Sequence, residues 1–334
     1  MANNRKRDPN IGDRYQKWMR SNVFGIPEDL ISSIGKRLAM YELGLARDGV
    51  PLGAFLLTGD PGIGKTLTGE TTAEFLHGNP KAVIHIAGEH FSREHEVAKM
   101  VGAPPGYIGH RETTPLITQT KLNAVTSEAS GISIIVMDEI DKAHPKMSEM
   151  WLDALQKARW SLGDNSTVNF ERSLLFFTAN WGSERRAREE RWGFVKRESE
   201  TATNTDIRNG VHPAFLDRIK TTGGIHEFGK ITEEIKRNII VKTLRENARF
   251  IKVRIGLKVE LYLVPELITE CLTKESGRGV AGHVNDLITS MLINTSALAE
   301  FVNVDARDET LPLFVTSSMG VKVMRAKVAK SIGN

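Results

Sequence analysis

Four short apolar runs, each closed by turn residues, punctuate the region from residue 54 to 180: AFLLTG at 54–59, AVIHIAG at 82–88, ISIIVMDE at 132–139 and SLLFFTAN at 173–180. Continuous apolar runs of this length fit strands buried on both faces. Between them, TLTGETTAEFL (66–76) and KMSEMWLDALQKA (146–158) carry helical spacing. LISSIGKRLAMYELGLA (30–46) does the same ahead of the first run. Strands alternating with helices predict an α/β domain with a parallel sheet over residues 22–226.

The pattern changes after Gly223-Gly224. ITEEIKRNIIVKTLRENARFI (231–251) is an amphipathic helix, RIGLKVELYLV (254–264) alternates as a strand, and PELITECLTK (265–274) opens a helix on Pro265. VAGHVNDLITSMLINTSALAEF (280–301) predicts another helix and TLPLFVT (310–316) a final strand. Residues 227–334 therefore predict a smaller, mostly helical domain with a few strands. Residues 1–21 carry Arg5, Lys6, Arg7, Arg14, Lys17 and Arg20 and predict a basic, irregular tail, with Trp18 docking back.

Charge and composition narrow the function classes. The 334 residues are 40% hydrophobic and 26% charged, and 45 basic against 41 acidic residues give a net charge of +4. That balance is not the footprint of a dedicated nucleic-acid binder. The one cysteine, Cys271, lies in an apolar run and predicts core filling. The polar N-terminus carries no apolar signal core, and no window approaches the ~18 apolar residues of a membrane span. A cytoplasmic protein without membrane contact is expected.

The chemistry begins where the first apolar run ends. Gly59-Asp60-Pro61-Gly62-Ile63-Gly64-Lys65-Thr66 spells G-x-x-x-x-G-K-T between a strand and a helix. The glycines let backbone N–H groups curl around a phosphate chain, and the helix N-terminus adds a favourable dipole. Lys65 is placed for the β- and γ-phosphates and Thr66 for Mg²⁺, so ATP and Mg²⁺ are the expected ligands. ISIIVMDE ends in Asp138, placed for Mg²⁺, and Glu139, placed to activate an attacking water. SLLFFTAN brings Asn180 to the same sheet edge, within reach of the γ-phosphate or the water.

Other motifs weaken on inspection. HEVAK (95–99) ends in Lys99, not the second histidine of a zinc-protease helix, and His85, His90 and His95 share no helical face, so no transition metal is expected. SERRAREER (183–191) mixes arginine with glutamate at helical spacing, which reads as a salt-bridged solvated helix. The glycine- and proline-rich VGAPPGYIGH (101–110) places Tyr107 and Ile108 on a loop.

In chain order, LGAFLLTGDPGIGKT, VGAPPGYIG, IIVMDEIDKAHP, STVNF, FFTAN, HPAFLDRI and SGRGV make the sequence resemble the AAA+ ATPases. Within them it is similar to the second ATPase module of the Clp-type (heat-shock-hundred) protein unfoldases. The resemblance covers residues 22–300. It implies an AAA+ P-loop domain followed by a small C-terminal domain. It gives Asp138 and Glu139 the magnesium and catalytic roles, Asn180 that of first sensor, Arg218 that of an arginine finger reaching a neighbouring subunit, and Arg278 that of second sensor. Tyr107 and Ile108 become a pore loop that grips a polypeptide. The implied partners are further copies in a ring, expected as a hexamer, together with protein substrates and an adaptor or a peptidase; nucleic acid is not expected.

The sequence also departs from that family. Gly25-Ile26 stands where the family carries Gly-Gln, SGRGV replaces G-A-R-P-L, and Gly163 to Val168 lacks the arginine of G-x-G-R-T-V. Trp192-Gly193-Phe194 lies where peptidase-feeding relatives carry an aliphatic-Gly-aromatic tripeptide, and reads first as local packing. A single-module relative is expected. The leading function is an ATP-driven protein-remodelling motor. The alternatives are an AAA+ ATPase acting on DNA or a nucleoprotein complex, and a nucleotide-gated assembly scaffold.

Overall fold

The computed structural model describes residues 8–102, 115–181, 211–256, 258–293, 311–315 and 321–323. Tyr107, Ile108, the 183–191 run and Trp192-Gly193-Phe194 lie outside them. The chain forms two compact units, divided between Lys230 and Ile231, four residues beyond the boundary expected after residue 226.

The main sheet of the first unit has five strands: β1 (Gly53–Thr58), β2 (Ile84–Ala87), β3 (Ser133–Asp138), β6 (Ser173–Ala179) and β7 (Gly224–Glu227), with β4 (Arg159–Ser161) and β5 (Thr167–Asn169) outside it. Their order is β2-β3-β6-β1-β7, parallel throughout. Four of these were expected from the apolar runs. The fifth, Gly-Ile-His-Glu, is too short and polar to announce itself; it pairs with Phe55 to Thr58 of β1. Every residue of β1 and β6 is buried, which is why neither strand alternates.

Helix α3 (Lys65–His77) follows β1, α6 (Lys146–Lys157) follows β3, and α7 (Pro213–Thr222) precedes β7. Short helices α4 (Glu94–Val97) and α5 (Gln119–Ala124) lie between β2 and β3. A hairpin, β4 (Arg159–Ser161) with β5 (Thr167–Asn169), links α6 to β6. Its turn, residues 162–166, takes in the first part of the Gly163 to Val168 stretch, whose Thr167 and Val168 already belong to β5. An aromatic cluster holds α6, the hairpin and α7 to β6. Trp151 meets Trp160 at 4.5 Å, and Phe177 meets Phe215 edge-on at 5.0 Å.

The expected irregular tail is corrected over its second half. Residues 11–22 form α1 (Ile11–Asn22), which packs with α2 (Glu28–Leu43). Ile11, Tyr15 and Met19 recur at four-residue spacing and are buried, leaving Arg14, Lys17 and Arg20 on the other faces. Tyr15 is fully buried, exchanges a 2.9 Å hydrogen bond with Thr72 of α3, and packs edge-on against Phe75. Burial pushes its phenol well above the ordinary range. Trp18 does dock back, 6.2 Å from the Phe75 ring.

The second unit contains α8 (Glu233–Ile255), β8 (Val259–Leu263), α9 (Pro265–Leu272), α10 (Gly277–Ile293), β9 (Leu311–Val315) and β10 (Val321–Val323). β9 pairs parallel with β8 and antiparallel with β10, a strand the sequence pattern did not predict. Ile240, Leu261, Leu267, Cys271, Val284 and Ile288 belong to its core, which places the cysteine as filler.

Candidate active site

β1 delivers the chain into the Gly59–Thr66 loop, which must turn sharply before α3 begins. Gly59, Gly62 and Gly64 all adopt positive φ, at 132°, 74° and 104°. A side chain at Gly59 would also meet the Phe228 carbonyl at 2.8 Å, so only glycine fits there. Gly64 gives α3 no side-chain cap. The first N–H groups of that helix therefore have neither an intrahelical partner nor a capping side chain, the condition under which a helix start takes an anion.

Lys65, only 7% exposed, lies against this loop. Its ammonium donates to the Gly59 carbonyl (2.7 Å), the Asp60 carbonyl (2.8 Å) and Asn180 Oδ1 (2.8 Å). Burial lowers its pKa to about 8, against the opposing pull of Asp141, Asp138, Asp60 and Glu139. An anion at the loop would reverse that shift.

The acidic half comes from the ends of β3 and β6. Thr66 Oγ1 donates to Asp138 Oδ1 at 3.0 Å, and the Thr178 hydroxyl donates to the same oxygen. Thr178 Oγ1 in turn accepts the Glu139 N–H at 2.9 Å. This bond helps hold Glu139 in the left-handed region, φ 54°, a conformation that costs a non-glycine residue about 1–3 kcal/mol. The Glu139 carboxylate takes the Lys142 ammonium at 2.7 Å and Asn180 Nδ2 at 3.3 Å.

Thr66, Asp138, Lys65, Asn180 and Glu139 are thus one hydrogen-bonded set at the ends of three adjacent strands. A hydroxyl and a carboxylate side by side are hard oxygen donors of the kind Mg²⁺ takes alongside phosphate and water, so Thr66 and Asp138 suit that ion. Among the described residues no group of three or more His, Cys, Asp or Glu side chains forms an all-protein metal cage.

The remaining candidates are Arg218 and Arg278. Arg218 is exposed on α7, whose Phe215, Leu216 and Ile219 are buried. The start of that helix is fixed by Pro213, by the His212 side chain capping the Ala214 N–H, and by the His212 N–H donating to Ser148 of α6. Arg278 is exposed in the first turn of α10, in the second unit, where Ser276 Oγ accepts the Gly279 N–H.

Four residues of the site were not singled out by the sequence. Thr178 and Lys142 hold Asp138 and Glu139 as described. Gly88 follows β2, and any side chain there would collide with the Glu139 carbonyl. Asp141 accepts the Asn180 main-chain N–H at 3.1 Å. The signals were present, a glycine closing a strand and a further acid in Asp-Glu-Ile-Asp, yet they acquire meaning only from what lies opposite.

The profile described as the AAA domain (Cdc48 subfamily) matches residues 50–222. The ATP-dependent Clp protease ATP-binding subunit ClpE of Streptococcus pneumoniae serotype 4 is 26% identical over 318 residues, 93% of this chain and 40% of that protein. The corresponding subunit ClpC of Staphylococcus aureus is 30% identical over 220 residues, 64% of this chain and 26% of that protein. The chain thus spans less than half the length of these curated relatives. Among solved structures, Hsp104 in a closed state with ATPγS and FITC casein superimposes with a TM-score of 0.71 at 22% identity, over 94% of this chain and 51% of that one. That likeness is one of fold.

Proposed function

The chain belongs to the AAA domain family, Cdc48 subfamily, and from that premise we propose that it is an ATP-hydrolysing motor that remodels proteins. The observation that carries the proposal is the single network joining Lys65, Asn180, Glu139, Asp138 and Thr66. It combines a phosphate loop, a cation, a magnesium-type oxygen pair and a carboxylate for the attacking water. A scaffold that only binds nucleotide has no use for a strained glutamate held beside the phosphate loop.

In this reading the Gly59–Thr66 loop and Lys65 bind the phosphates of ATP, and Thr66 with Asp138 holds Mg²⁺. The ion, when bound, neutralises charge on the phosphates. Lys65 exchanges loop carbonyls for phosphate oxygens. Glu139 leaves Lys142 and Asn180 to accept a proton from the attacking water, and Asn180 orients that water or the γ-phosphate. Arg218 of one copy stabilises the charge developing in a neighbour's site, which couples hydrolysis to assembly as a ring, proposed as a hexamer. Arg278 carries the response of the 231–334 unit. Tyr107 and Ile108 grip an extended polypeptide in the pore by apolar and stacking contact. An adaptor selecting clients, a peptidase meeting residues 192–194 and a cytoplasmic location extend the same proposal.

The test is Glu139→Gln. The variant should bind ATP as the parent does, lose hydrolysis by at least about 100-fold, and retain protein clients on purification. Salt-sensitive DNA in place of protein clients would overturn the motor in favour of an ATPase acting on nucleoprotein.

A further inference from the structure

We propose that a basic hollow on the first unit, lined by Ser33, Lys36, Arg37, Met40, Arg47 and Thr221, binds a small, multiply charged phosphate anion of the inorganic phosphate or pyrophosphate class. It shares no residue with the Gly59–Thr66 loop or with the acids facing it.

Helix α2 supplies four of these six residues. Ser33, Lys36, Arg37 and Met40 recur at i, i+3, i+4 and i+7, which sets them along one face, while Leu30, Ile31, Ile34 and Leu38 bury another. A basic helix face is ordinarily left in water. This one is walled. The end of α7 lies against it, with Ser33 Oγ donating to the Gly223 carbonyl at 3.0 Å and Arg37 Nη2 approaching the Thr221 carbonyl at 3.5 Å. The segment leading from α2 to β1 adds Arg47, and its Gly49 N–H is tied to Glu171 at 3.1 Å. The hollow measures about 280 Å³, just below the ~300 Å³ at which sites for drug-sized molecules begin. That volume suits a small ion.

The charge inside it is uncompensated. Among the described residues, three cations and no carboxylate line the hollow, and no carboxylate pairs with Lys36, Arg37 or Arg47. Burial lowers the Arg37 pKa, and its charged neighbour Arg47 lowers it further. Like charges held together disfavour one another until an anion joins them. The carbonyl end of α7 favours one cation. It accounts for Arg37 but not for the other two. The Thr221 contact is at the outer limit of a hydrogen bond, so the Arg37 guanidinium keeps donors to spare. Two forked guanidinium groups and the Lys36 point charge are the donor set that phosphate oxygens take. A monovalent carboxylate would leave most of this charge unbalanced.

The test is isothermal titration of sodium pyrophosphate, and separately of sodium phosphate, into the full-length chain. Lys65→Ala is the parent, so that the lysine of the Gly59–Thr66 loop adds no second phosphate contact, and wild type is run beside it. The parent should bind pyrophosphate at a single site per copy and gain Tm with it. Adding Lys36→Gln and Arg47→Gln, both at exposed side chains, should raise Kd by about tenfold or more for each charge removed. Arg37→Gln should do the same, and Arg37→Lys should recover only part of the affinity, since lysine lacks the fork. Without anion, Lys36→Gln/Arg47→Gln should leave Tm no lower than in the parent, whereas loss of charges with a merely structural role would lower it. Absence of binding in the parent, or a Kd that these substitutions leave unchanged, would overturn the site. Capture of a DNA duplex through these cations without pyrophosphate binding would overturn it in favour of a nucleic-acid face. A changed oligomeric mass in the variants, again without pyrophosphate binding, would overturn it in favour of a contact between copies.

Discussion

Lys65 and Arg218 are both cations proposed to act on phosphate, and the chain treats them oppositely. Lys65 is buried, and its ammonium is engaged by two loop carbonyls and Asn180. Arg218 is exposed, on a helix whose position is set by buried neighbours rather than by anything the guanidinium touches. The α7 backbone is rigidly held through Phe215 against Phe177, three residues before Asn180 on β6. The difference teaches which half of the site one copy builds alone. In the proposed function the phosphate-binding half is built by one copy, around a lysine whose charged form is disfavoured by burial. The proposed finger is displayed on a firm support and, in that reading, acts in a neighbouring copy's site.

The sharpest way to break that contrast is Arg218→Ala. If Arg218 acts only on developing charge in a neighbour, kcat should fall by about 10³-fold. ATP affinity should change by no more than about threefold, since the cis contacts remain. An equal loss of affinity and rate would place Arg218 with ground-state binding and dissolve the distinction.

A smaller effect sharpens the Lys65 side. Its pKa is lowered to about 8 in the free protein, and bound phosphate, by favouring the charged form, must raise it. Below pH 8 the ammonium is already protonated and affinity is flat. Above pH 8 binding takes up a proton, and affinity should fall by at most about tenfold per pH unit. Titration of ATP binding in buffers of different ionisation enthalpy would register the uptake. The same shift predicts that the nucleotide-free fold gains stability as pH rises from about 8 towards 10.5, because the unfolded chain holds the Lys65 proton longer. Affinity independent of pH from 7 to 10 would contradict the assigned burial.

The two cations also differ in how far they were legible. Lys65, Thr66, Asp138 and Glu139 stand in contiguous motifs, where strand, loop and helix start are written side by side. Asn180 could be found because a polar residue ends an apolar strand. Asp141, Thr178 and Gly88 could not, since each acts on a residue 39 or more positions away, which local spacing does not encode. The parallel sheet followed from four apolar runs, but β7 did not, having two polar residues among four. Helix α1 was hidden by its basic residues: they cover faces of a helix whose Ile11, Tyr15 and Met19 stripe is only one residue wide per turn. Arg218 would read as an ordinary surface charge without HPAFLDRI around it.

In the proposed motor each hydrolytic site joins Glu139 of one copy to Arg218 of another. That pairing is tested most directly by mixing Glu139→Gln protein with Arg218→Ala protein, each inactive alone, and measuring ATPase after exchange of subunits. In a ring with a single repeated interface, an equimolar random mixture restores both groups at about a quarter of the sites. ATPase should recover towards that fraction of wild type, rising with subunit exchange. Activity that stays at the level of the separate variants after complete exchange would contradict the pairing.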